Sequence, residues 1–541
     1  MNNLETVKVI PLGGLDEVGK NMTAIEFKDE IIVIDAGTAF PSTDMHGVQL
    51  IVPDVEYLKE NKDKVKSLYI THGHEDHIGG ISYFLNEFNV DIYATKLTMV
   101  LIKNKLKGKK EAIKNLKIIN RDSVIKGENL TVSFFETNHS IPDSVGLVIE
   151  TPYGNIVHTS DFKVDYTPID GRTLDFTRIA DIKKHGVLLL LSDSTNALKE
   201  GFSPSEEKVA NALHGIIKGA KGRVIATTFA SSLYRIQSLI RIAELENRKV
   251  VLVGRSMKNN VKAAYKLGYI NVKEGTFVSD KLIEEYSENE LLVITTGSQG
   301  ESTSALRRMV ENKNPYITLN SADTVLFSSH SIPGNEKSVN YLVNELSKLD
   351  VKVFVGGEIH TSGHGYQEEL KLILSLFKPK FFMPVHGEHR MLKNHAHLAS
   401  RIGVKKENCF ICENGNVLEI SKGSVKRGKS VKAGAVLVDQ SGLGDVKFNI
   451  MKDRERLANH GVAFIQIQKT PHRYKTRVIL KGVIAVHDSK QLYREVNSVV
   501  EEIMKKNENN RHSSKRDLYK EIGEVLEKHL KRKPLIVPVF D

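Results

Sequence analysis

The residues best suited to chemistry lie in one short stretch of the chain, residues 71–80, which reads Thr-His-Gly-His-Glu-Asp-His-Ile-Gly-Gly. It holds four potential metal ligands: His72, His74, Asp76 and His77. The apolar run before it predicts a strand that ends in a tight loop, and a helix is expected over residues 78–88. Nitrogen and carboxylate oxygen together suit a divalent cation, zinc first and manganese next. A run of solvated histidines is the alternative, and the density of ligands argues against it.

This stretch resembles the His-x-His-x-Asp-His motif of the metallo-β-lactamase superfamily. Hydrolytic members use the first two histidines on one metal ion and the Asp-His pair on another, and they need further ligands from distant strands. The chain supplies three candidates, each directly after a predicted strand: His139, Asp161 and His386. Strand ends are where α/β layers place their sites. We therefore expect a binuclear centre in which Asp161 bridges the ions, with Asp35 supporting nearby loops rather than binding metal.

Length and composition limit the domain number and the cellular location that the sequence can have. A chain of 541 residues is too long for one core and predicts about three domains. No apolar run approaches the roughly 20 residues that span a bilayer, and no signal-peptide pattern opens the chain, so we expect no membrane span. The two cysteines, Cys409 and Cys412, are expected to pack in a core. So few cysteines favour the cytoplasm.

The chain is basic, with a net charge of +11 and a pI of about 9.1. This balance favours a polyanionic partner without identifying it. Seven lysines fall between Lys103 and Lys117. They fit either a solvated helix face or a contact with nucleic acid, and the sequence leaves both interpretations open.

From about residue 205 the sequence alternates long helices with short apolar strands. This rhythm predicts a doubly wound α/β domain inserted before His386. Three of its strands should end in loops rich in glycine, hydroxyl or basic groups: 228–232, 254–256 and 296–301. Backbone N–H groups in such loops can cradle phosphates, although each loop alone is equally typical of an ordinary turn. Three at one sheet edge favour a phosphate-binding surface, with these candidate substrate-binding residues: Phe229, Ala230 and Ser231.

The large insert, together with loops around Asp193, His364 and His386, resembles the β-CASP group of nucleases. Five stretches resemble bacterial ribonuclease J: PLGG at 11–14, SIP at 140–142, GSQGE at 297–301, HTSGH at 360–364 and PVHGE at 384–388. The resemblance implies an α/β fold, a metallo-β-lactamase αββα sandwich with an inserted doubly wound β-CASP domain and a small C-terminal α/β domain. The expected boundaries are 1–204 and 356–445 for the two parts of the metallo-β-lactamase domain, 205–355 for the insert and 446–541 for the tail.

The same resemblance implies a metal-dependent ribonuclease that cuts single-stranded RNA, with 5′→3′ exonuclease and endonuclease action in mRNA decay and rRNA maturation. Two divalent ions are expected, zinc first, with manganese or magnesium as alternatives. By the resemblance, one ion is held by His72, His74 and His139, the other by Asp76, His77 and His386, with Asp161 bridging. Catalytic roles fall to His364, Asp76 and Asp193. A 5′-monophosphate would be held by these residues: His360, Thr361, Ser362, Gly363 and His364.

Several alternatives stay open on the sequence. The fold also serves lactone or thioester hydrolases, nucleases for DNA repair or transfer-RNA ends, and non-catalytic RNA-binding partner subunits. The inserted domain and basic charge argue against small esters, and the complete ligand set favours activity. A homo-oligomer, dimer or tetramer, and protein partners in RNA decay are expected from the family. Residues 469–484 depart from the glycine- and arginine-rich segment expected there.

Overall fold

The computed structural model describes residues 5–42, 45–107, 113–301, 303–332, 334–439, 448–471, 473–483, 489–506 and 511–540. The chain divides into two compact units, Met1–Phe40 with Ile51–Ala435, and Pro41–Leu50 with Val436–Asp541. Among the described residues, no helix has both the length and the apolar character needed to cross a membrane.

Two sheets of the first unit pack face to face. The first has the strand order β21-β20-β1-β2-β3-β5-β6-β7, and the second β19-β12-β11-β10-β9-β8. The first comprises β1 (Val7–Gly13), β2 (Met22–Phe27), β3 (Glu30–Ile34), β5 (Val65–Tyr69), β6 (Asp91–Ala94), β7 (Leu116–Ile118), β20 (Leu418–Ser421) and β21 (Ser424–Arg427). The second comprises β8 (Val124–Lys126), β9 (Thr131–Thr137), β10 (Ser144–Thr151), β11 (Gly154–His158), β12 (Val187–Asp193) and β19 (Phe381–Val385).

Alternating side chains explain this packing, since one face of each strand meets the opposing sheet. The shared core includes Val9, Ile25 and Ile32 from the first sheet and Phe134, Leu147 and Leu189 from the second. Strand β12 is buried along its whole length between parallel neighbours, as its continuous apolar run predicts.

Helices cover the outer faces of both sheets, which completes the predicted αββα sandwich. They are α1 (Glu56–Glu60), α2 (Glu75–Ile78), α3 (Ile81–Glu87), α4 (Lys96–Lys105), α5 (Phe176–Lys184), α11 (Gln367–Phe377) and α12 (His389–Arg401). The single helix predicted over residues 78–88 is wrong in detail. The chain forms α2 and α3 with a break at Gly79 and Gly80, where Gly80 donates its N–H to the Ala36 carbonyl.

The inserted segment forms a third sheet whose described strands all run parallel, in the order β15-β14-β16-β13-β17-β18. The strands are β13 (Val224–Thr227), β14 (Lys249–Val253), β15 (Phe277–Val278), β16 (Leu291–Thr295), β17 (Thr324–Phe327) and β18 (Lys352–Val355). The helices are α6 (Glu206–Gly219), α7 (Leu233–Leu245), α8 (Arg255–Lys266), α9 (Ala305–Val310) and α10 (Glu336–Lys348). Both faces are covered, which confirms the doubly wound expectation.

Adjacent strands of this sheet deliver the three predicted phosphate-type loops to one edge. Strands β14, β16 and β13 are parallel neighbours, so the loops that follow them begin at the same end. Strands β15 and β18 were not predicted. Both are short and only partly buried, so neither gives the continuous apolar run of the central strands.

The second unit contains a small α/β layer. Its sheet has the order β24-β23-β25. The elements are β23 (Val462–Lys469), β24 (Tyr474–Lys481), β25 (Leu535–Phe540), α13 (Phe448–His460), α14 (Ser489–Lys506) and α15 (Arg511–Leu530). The apolar residues of 478–486 predict a strand there; the strand begins earlier, at Tyr474, and residues 484–486 lie outside the described residues. Strands β4 (Val48–Pro53) and β22 (Ala435–Asp439) complete the set of described strands.

Candidate metal centre

The loops at the ends of β11, β12 and β19 meet those of the first sheet at one edge of the sandwich. Because these three strands are adjacent and parallel, they place Asp161, Asp193 and His386 side by side. Strand β5 and helix α2 bring in the residues of the histidine-rich loop, and the loop after β9 brings in His139. The fold therefore joins all seven predicted ligands, which span 315 residues of sequence from His72 to His386.

The first group of ligand atoms is formed by His72, His74, His139 and Asp161, and these atoms all lie within 4.8 Å of one another. His74 Nδ1 lies 3.1 Å from His72 Nε2 and 2.9 Å from His139 Nε2. Asp161 Oδ2 lies 3.6 Å from His72 Nε2 and 3.8 Å from His139 Nε2. Three ring nitrogens and a carboxylate oxygen thus converge on one point.

The second group consists of Asp76, His77, Asp161 and His386, again within 4.8 Å. Asp161 Oδ2 lies 3.1 Å from His77 Nε2, and Asp161 Oδ1 lies 2.8 Å from His386 Nδ1. Asp76 Oδ2 lies 3.4 Å from His386 Nε2. Because Asp161 belongs to both groups, the two points share one carboxylate.

A third group contains Asp161, Asp193, His364 and His386, also within 4.8 Å. Its shortest contact joins His364 Nδ1 and Asp193 Oδ2 at 2.7 Å, whereas His364 Nδ1 lies 3.9 Å from Asp161 Oδ2. His364 and Asp193 therefore bind mainly each other, beside the ligands and not between them.

Hydrogen bonds behind the ligands orient their rings. His139 Nδ1 donates to the Gly363 carbonyl at 2.7 Å, which aims Nε2 at the first group. Asp35, 1% exposed, accepts from His77 Nδ1 at 2.7 Å and from the Thr71 backbone N–H at 2.8 Å. Asp35 is absent from all three ligand groups and therefore supports His77, as expected.

Asn21 also supports the centre, although the sequence analysis did not identify it. Its Nδ2 lies 3.2 Å from His77 Nε2 and donates to the Asp76 carbonyl at 3.2 Å. Asn21 is 55 residues before Asp76, and a lone Asn two positions after a glycine gives no signal that distinguishes it from a turn residue.

Backbone strain accumulates at this edge. Asp35, Ser160 and His386 have φ values of 63°, 59° and 54°, in the left-handed region that non-glycine residues rarely adopt. Gly363 is required by a close approach, since a Cβ there would lie 2.6 Å from His139 Cε1. The surrounding sheets hold these conformations, which costs about 1–3 kcal/mol for each strained residue.

Burial is the largest influence on the pKa of the histidines in the first group. It lowers the pKa of His74 to about 4 and the pKa values of His72 and His139 well below their ordinary range. These imidazoles are neutral near pH 7, so each has a lone pair that a cation can take.

Burial also lowers the pKa of the two histidines in the second group, but the nearby carboxylates raise it by more. Asp161, with Asp76 and Asp193, raises the pKa of His386 to about 10, and Asp161, Asp76 and Asp35 raise the pKa of His77. Two protonated imidazoles thus face two carboxylates. A divalent cation carries the same charge as the two protons it would displace.

These residues fit divalent metal ions. His386 Nε2 is buried and makes no well-formed hydrogen bond among the described residues; the carboxylate oxygen facing it is Asp76 Oδ2, at 3.4 Å. The facing nitrogens of the first group would repel one another through their lone pairs unless a proton or cation lay between them. Nitrogen and carboxylate ligands of this kind suit zinc and manganese.

The two predicted substrate loops differ in whether they contact the metal centre. In the loop 360–364, Ser362 Oγ accepts from Asn196 Nδ2 at 2.8 Å, and Thr361 Oγ1 donates to the Pro204 carbonyl at 2.7 Å. His360 is half-buried, and its buried Nδ1 has no hydrogen-bond partner among the described residues. This loop contacts the centre through Gly363 and His364.

The loop with Phe229, Ala230 and Ser231 is only half-buried, and it bonds elsewhere. The Ala230 carbonyl accepts from Asn260 Nδ2 at 3.1 Å, and the other two carbonyls accept from residues at the start of α7. In the described part of the chain, no hydrogen bond or ion pair connects this loop with the seven candidate ligands. Neither cysteine belongs to a ligand group among the described residues; Cys412 is buried and Cys409 half-buried.

Comparison with known proteins covers nearly the whole chain. Sequence models of four families match: the metallo-beta-lactamase superfamily over residues 15–254, the ribonuclease J beta-CASP domain over 221–346, the Zn-dependent metallo-hydrolase RNA specificity domain over 357–412 and the ribonuclease J C-terminal domain over 449–540. The last match includes the segment 469–484 whose composition departs from expectation.

Similar curated proteins carry related names. The chain is 42% identical to ribonuclease J 1 of Streptococcus pyogenes, with 98% of this chain and 97% of that protein covered. It is 39% identical to ribonuclease J2 of Bacillus subtilis, with 99% of each covered, and 40% identical to ribonuclease J of Thermus thermophilus, with 98% and 95% covered. A solved Enterococcus faecalis protein of unknown function shares the fold, with a TM-score of 0.54, 16% identity, and coverage of 77% of this chain and 100% of that one.

Proposed function

This chain belongs to the ribonuclease J family and is a metal-dependent ribonuclease, and from that premise we propose that it degrades single-stranded RNA both from the 5′ end and internally. The observation that carries the proposal is the cluster of seven ligands sharing Asp161, with the His364–Asp193 pair at its side. A single ligand group would fit many metalloproteins. Two groups joined by one carboxylate favour phosphodiester hydrolysis.

The ligands divide naturally between two ions. His72, His74 and His139 would hold one, and Asp76, His77 and His386 the other, with Asp161 between them. Bound there, two divalent ions would lower the pKa of the attacking water and offset charge on the phosphoryl oxygens. The metal we propose first is zinc.

The open side of the cluster indicates where substrate enters. The side chains of His72, His139 and Asp161 are at most 3% exposed, whereas Asp76 is 29% and His364 18% exposed. We propose that the scissile phosphate approaches over Asp76 and His364.

His364 then has a role that its hydrogen bond defines. Its Nδ1 donates to Asp193 Oδ2, so Nε2 is left for the substrate. Burial lowers the pKa of His364, but Asp193 and Asp161 outweigh burial and raise it overall. A protonated Nε2 can hold the scissile phosphate or give its proton to the leaving 3′-oxygen. Asp193 acts through His364 by fixing its orientation.

The neighbouring loop would hold a 5′-monophosphate. Ser362 Oγ also accepts from the His364 backbone N–H at 3.2 Å, so its hydroxyl lies directly beside the proposed catalytic imidazole. Thr361, His360 and the backbone of Gly363 complete the loop, and Phe229, Ala230 and Ser231 would contact the same strand. A triphosphate brings extra charge and bulk to the same space, which supports a preference for monophosphate ends.

Further proposals concern the oligomeric state, the biological role and the location of the protein. We propose that the chain forms a homo-oligomer, a dimer or tetramer, and contributes to mRNA decay and rRNA maturation with other RNA-decay proteins. Its two free thiols, Cys409 and Cys412, fit action in the cytoplasm. Light scattering of the purified chain tests the oligomer.

The direct test of function compares three versions of one unstructured strand: 5′-monophosphorylated RNA, 5′-triphosphorylated RNA and 5′-monophosphorylated DNA. With metal-loaded protein we expect mononucleotide release from the first, mainly internal cuts in the second and little cleavage of the third. Equal cleavage of DNA and RNA would favour the DNA nuclease alternative. Binding of RNA without cleavage would favour a non-catalytic partner.

A further inference from the structure

Two neighbouring helices give the surface an unusual charge. Helix α4 (Lys96–Lys105) belongs to the sandwich and α8 (Arg255–Lys266) to the inserted segment, and the two pack against each other. Neither helix contains an aspartate or glutamate. Ordinary protein surfaces intersperse both signs, and α6 and α10 in the same unit do so.

The cations on each helix share one side. Lys96, Lys103 and Lys107 follow at spacings of seven and four residues on α4 and the turn after it, and all three are exposed. On α8 the spacing is three, four and four, and again every member is exposed: Arg255, Lys258, Lys262 and Lys266. Such spacing aligns side chains along one side of a helix, about 5–6 Å apart at spacings of three or four residues and about twice that at a spacing of seven. We call these seven residues the basic ridge.

Helix formation does not explain the ridge. Like charges three or four residues apart weaken a helix, so the pattern opposes the stability of α8. Of the seven, only Lys258 forms an ion pair with a described residue, Asp280. The remaining cations have no acidic partner among the residues that the structure describes, so they are available to an external anion.

An exposed aromatic ring interrupts the basic ridge. Tyr265 lies between Lys262 and Lys266 on α8 and is 53% exposed. A ring at this exposure gains little from the core. Surfaces that bind single strands combine cations along the backbone with aromatic rings on which bases stack.

The two helices that carry the ridge contact the metal-binding loop and the proposed substrate loop. On α4, Leu101 packs against Gly73, between His72 and His74, where a Cβ would lie 2.5 Å from Leu101 Cδ1. On α8, Asn260 donates to the Ala230 carbonyl of the proposed substrate loop. The ridge therefore lies on the exposed sides of two helices whose other residues contact the metal-binding loop and the proposed substrate loop.

We propose that the basic ridge, with Tyr265, is a second binding surface for single-stranded RNA that holds the part of the substrate outside the metal centre. This rests on the proposed function for the identity of the polyanion. The ridge increases the affinity for long strands and contributes nothing to bond cleavage, so short strands that occupy only the centre are independent of it.

The test compares two variants of the full-length protein that lose the same charge. In the ridge variant, Lys96, Lys103, Lys262 and Lys266 are replaced by Gln. In the matched control, four exposed lysines on helices of mixed charge are replaced by Gln: Lys183, Lys208, Lys218 and Lys337. Both lose four positive charges, so general electrostatic attraction changes equally and only placement differs.

Binding is measured by fluorescence anisotropy on chelator-treated protein, with 5′-monophosphorylated strands of about 6 and about 30 nucleotides. The first is near the lower end of the roughly 4–16 nucleotides that a typical single-strand groove covers, and the second is well above it. For the longer strand, the slope of log affinity against log salt should fall by about 3 in the ridge variant, because each lost contact removes about 0.7. The control should keep its slope, and the shorter strand should bind both variants alike. Tyr265→Leu should weaken binding of the longer strand at least about fivefold, with Tyr316→Leu unchanged.

Equal slopes for the ridge variant and the control on the longer strand would overturn the inference. A cleavage assay with metal-loaded protein tests the proposed function separately from the RNA binding by the ridge. If the native chain binds long RNA through the ridge but cuts no RNA, the proposed function fails while the ridge stands.

Discussion

Replacing Glu206 by Gln should destabilise the folded chain by about 3–5 kcal/mol, because it removes the counterion of a fully buried arginine. Arg235 is 1% exposed and Glu206 3% exposed. Glu206 accepts three hydrogen bonds from the guanidinium, at 2.9, 3.1 and 3.2 Å. Two charges about 4 Å apart at an effective dielectric constant of about 20 attract by about 4 kcal/mol. The variant loses this attraction while the desolvation cost of Arg235 remains.

The same change should reach the metal centre through two contacts. Arg235 Nη1 donates to the Ile359 carbonyl at 2.9 Å, directly before the loop 360–364. Lys163, two residues after Asp161, lies 3.9 Å from Glu206 and 3.1 Å from Asp165. We therefore expect slower RNA cleavage by the variant even at temperatures where it stays folded.

Equilibrium urea unfolding measures the stability, and Glu207→Gln is the matched control. Glu207 lies in the same first turn of α6 but is exposed, so its substitution should cost only the helix-dipole contribution of about 0.3–1 kcal/mol. Arg235→Met should be comparably damaging alone, and combined with Glu206→Gln it should cost less than the sum. Equal stability of the Glu206 and Glu207 variants would refute the reasoning.

Four further outcomes are expected. His74→Ala should lower the metal content measured by elemental analysis and abolish RNA cleavage with little change in circular dichroism, because the sheets around the centre are apolar. Gly363→Ala should weaken metal binding about 10- to 100-fold in a chelator titration, since its Cβ would displace His139, whereas Gly215→Ala, with open space around it, should not. Ser362→Ala should reduce the preference for monophosphate ends more than internal cleavage, measured on the same strand with either end. A 5′-monophosphorylated RNA with a strong hairpin behind a single-stranded leader should stall the enzyme near the hairpin on a sequencing gel, because a duplex is too wide for a path that contacts one strand; digestion through the hairpin at full rate would contradict this.

The candidate ligands could be found from sequence because each carries a local signal. Three histidines and an aspartate stand within six positions, and His139, Asp161 and His386 each follow an apolar strand. The structure then brings these residues together because β11, β12 and β19 are parallel neighbours. The sequence does not show which strands are adjacent, but it does show that the ligands stand at strand ends. In an α/β layer the functional site forms at strand ends, so the ligands could be expected to meet there.

The ends of an element were harder to predict where polar side chains interrupt the apolar pattern of a strand. Strand β24 begins at Tyr474 and alternates apolar residues with Lys475 and Arg477, which lie on an edge strand with solvent access. The sequence prediction started later, at Val478, where apolar residues become denser. Strand β15 could not be predicted for a different reason, since two residues give no periodicity to detect.

The least predictable feature was the set of buried charges that positions the centre. Glu206 and Arg235 occupy ordinary positions in amphipathic helices of the insert, and nothing nearby indicates that their partners are Ile359 and Lys163, up to 124 residues away. Sequence reasoning gave the insert only a phosphate-binding surface for the substrate. The contacts show that the insert also holds the loops that carry Asp161 and His364, so its effect on cleavage should extend to substrates too short to touch it.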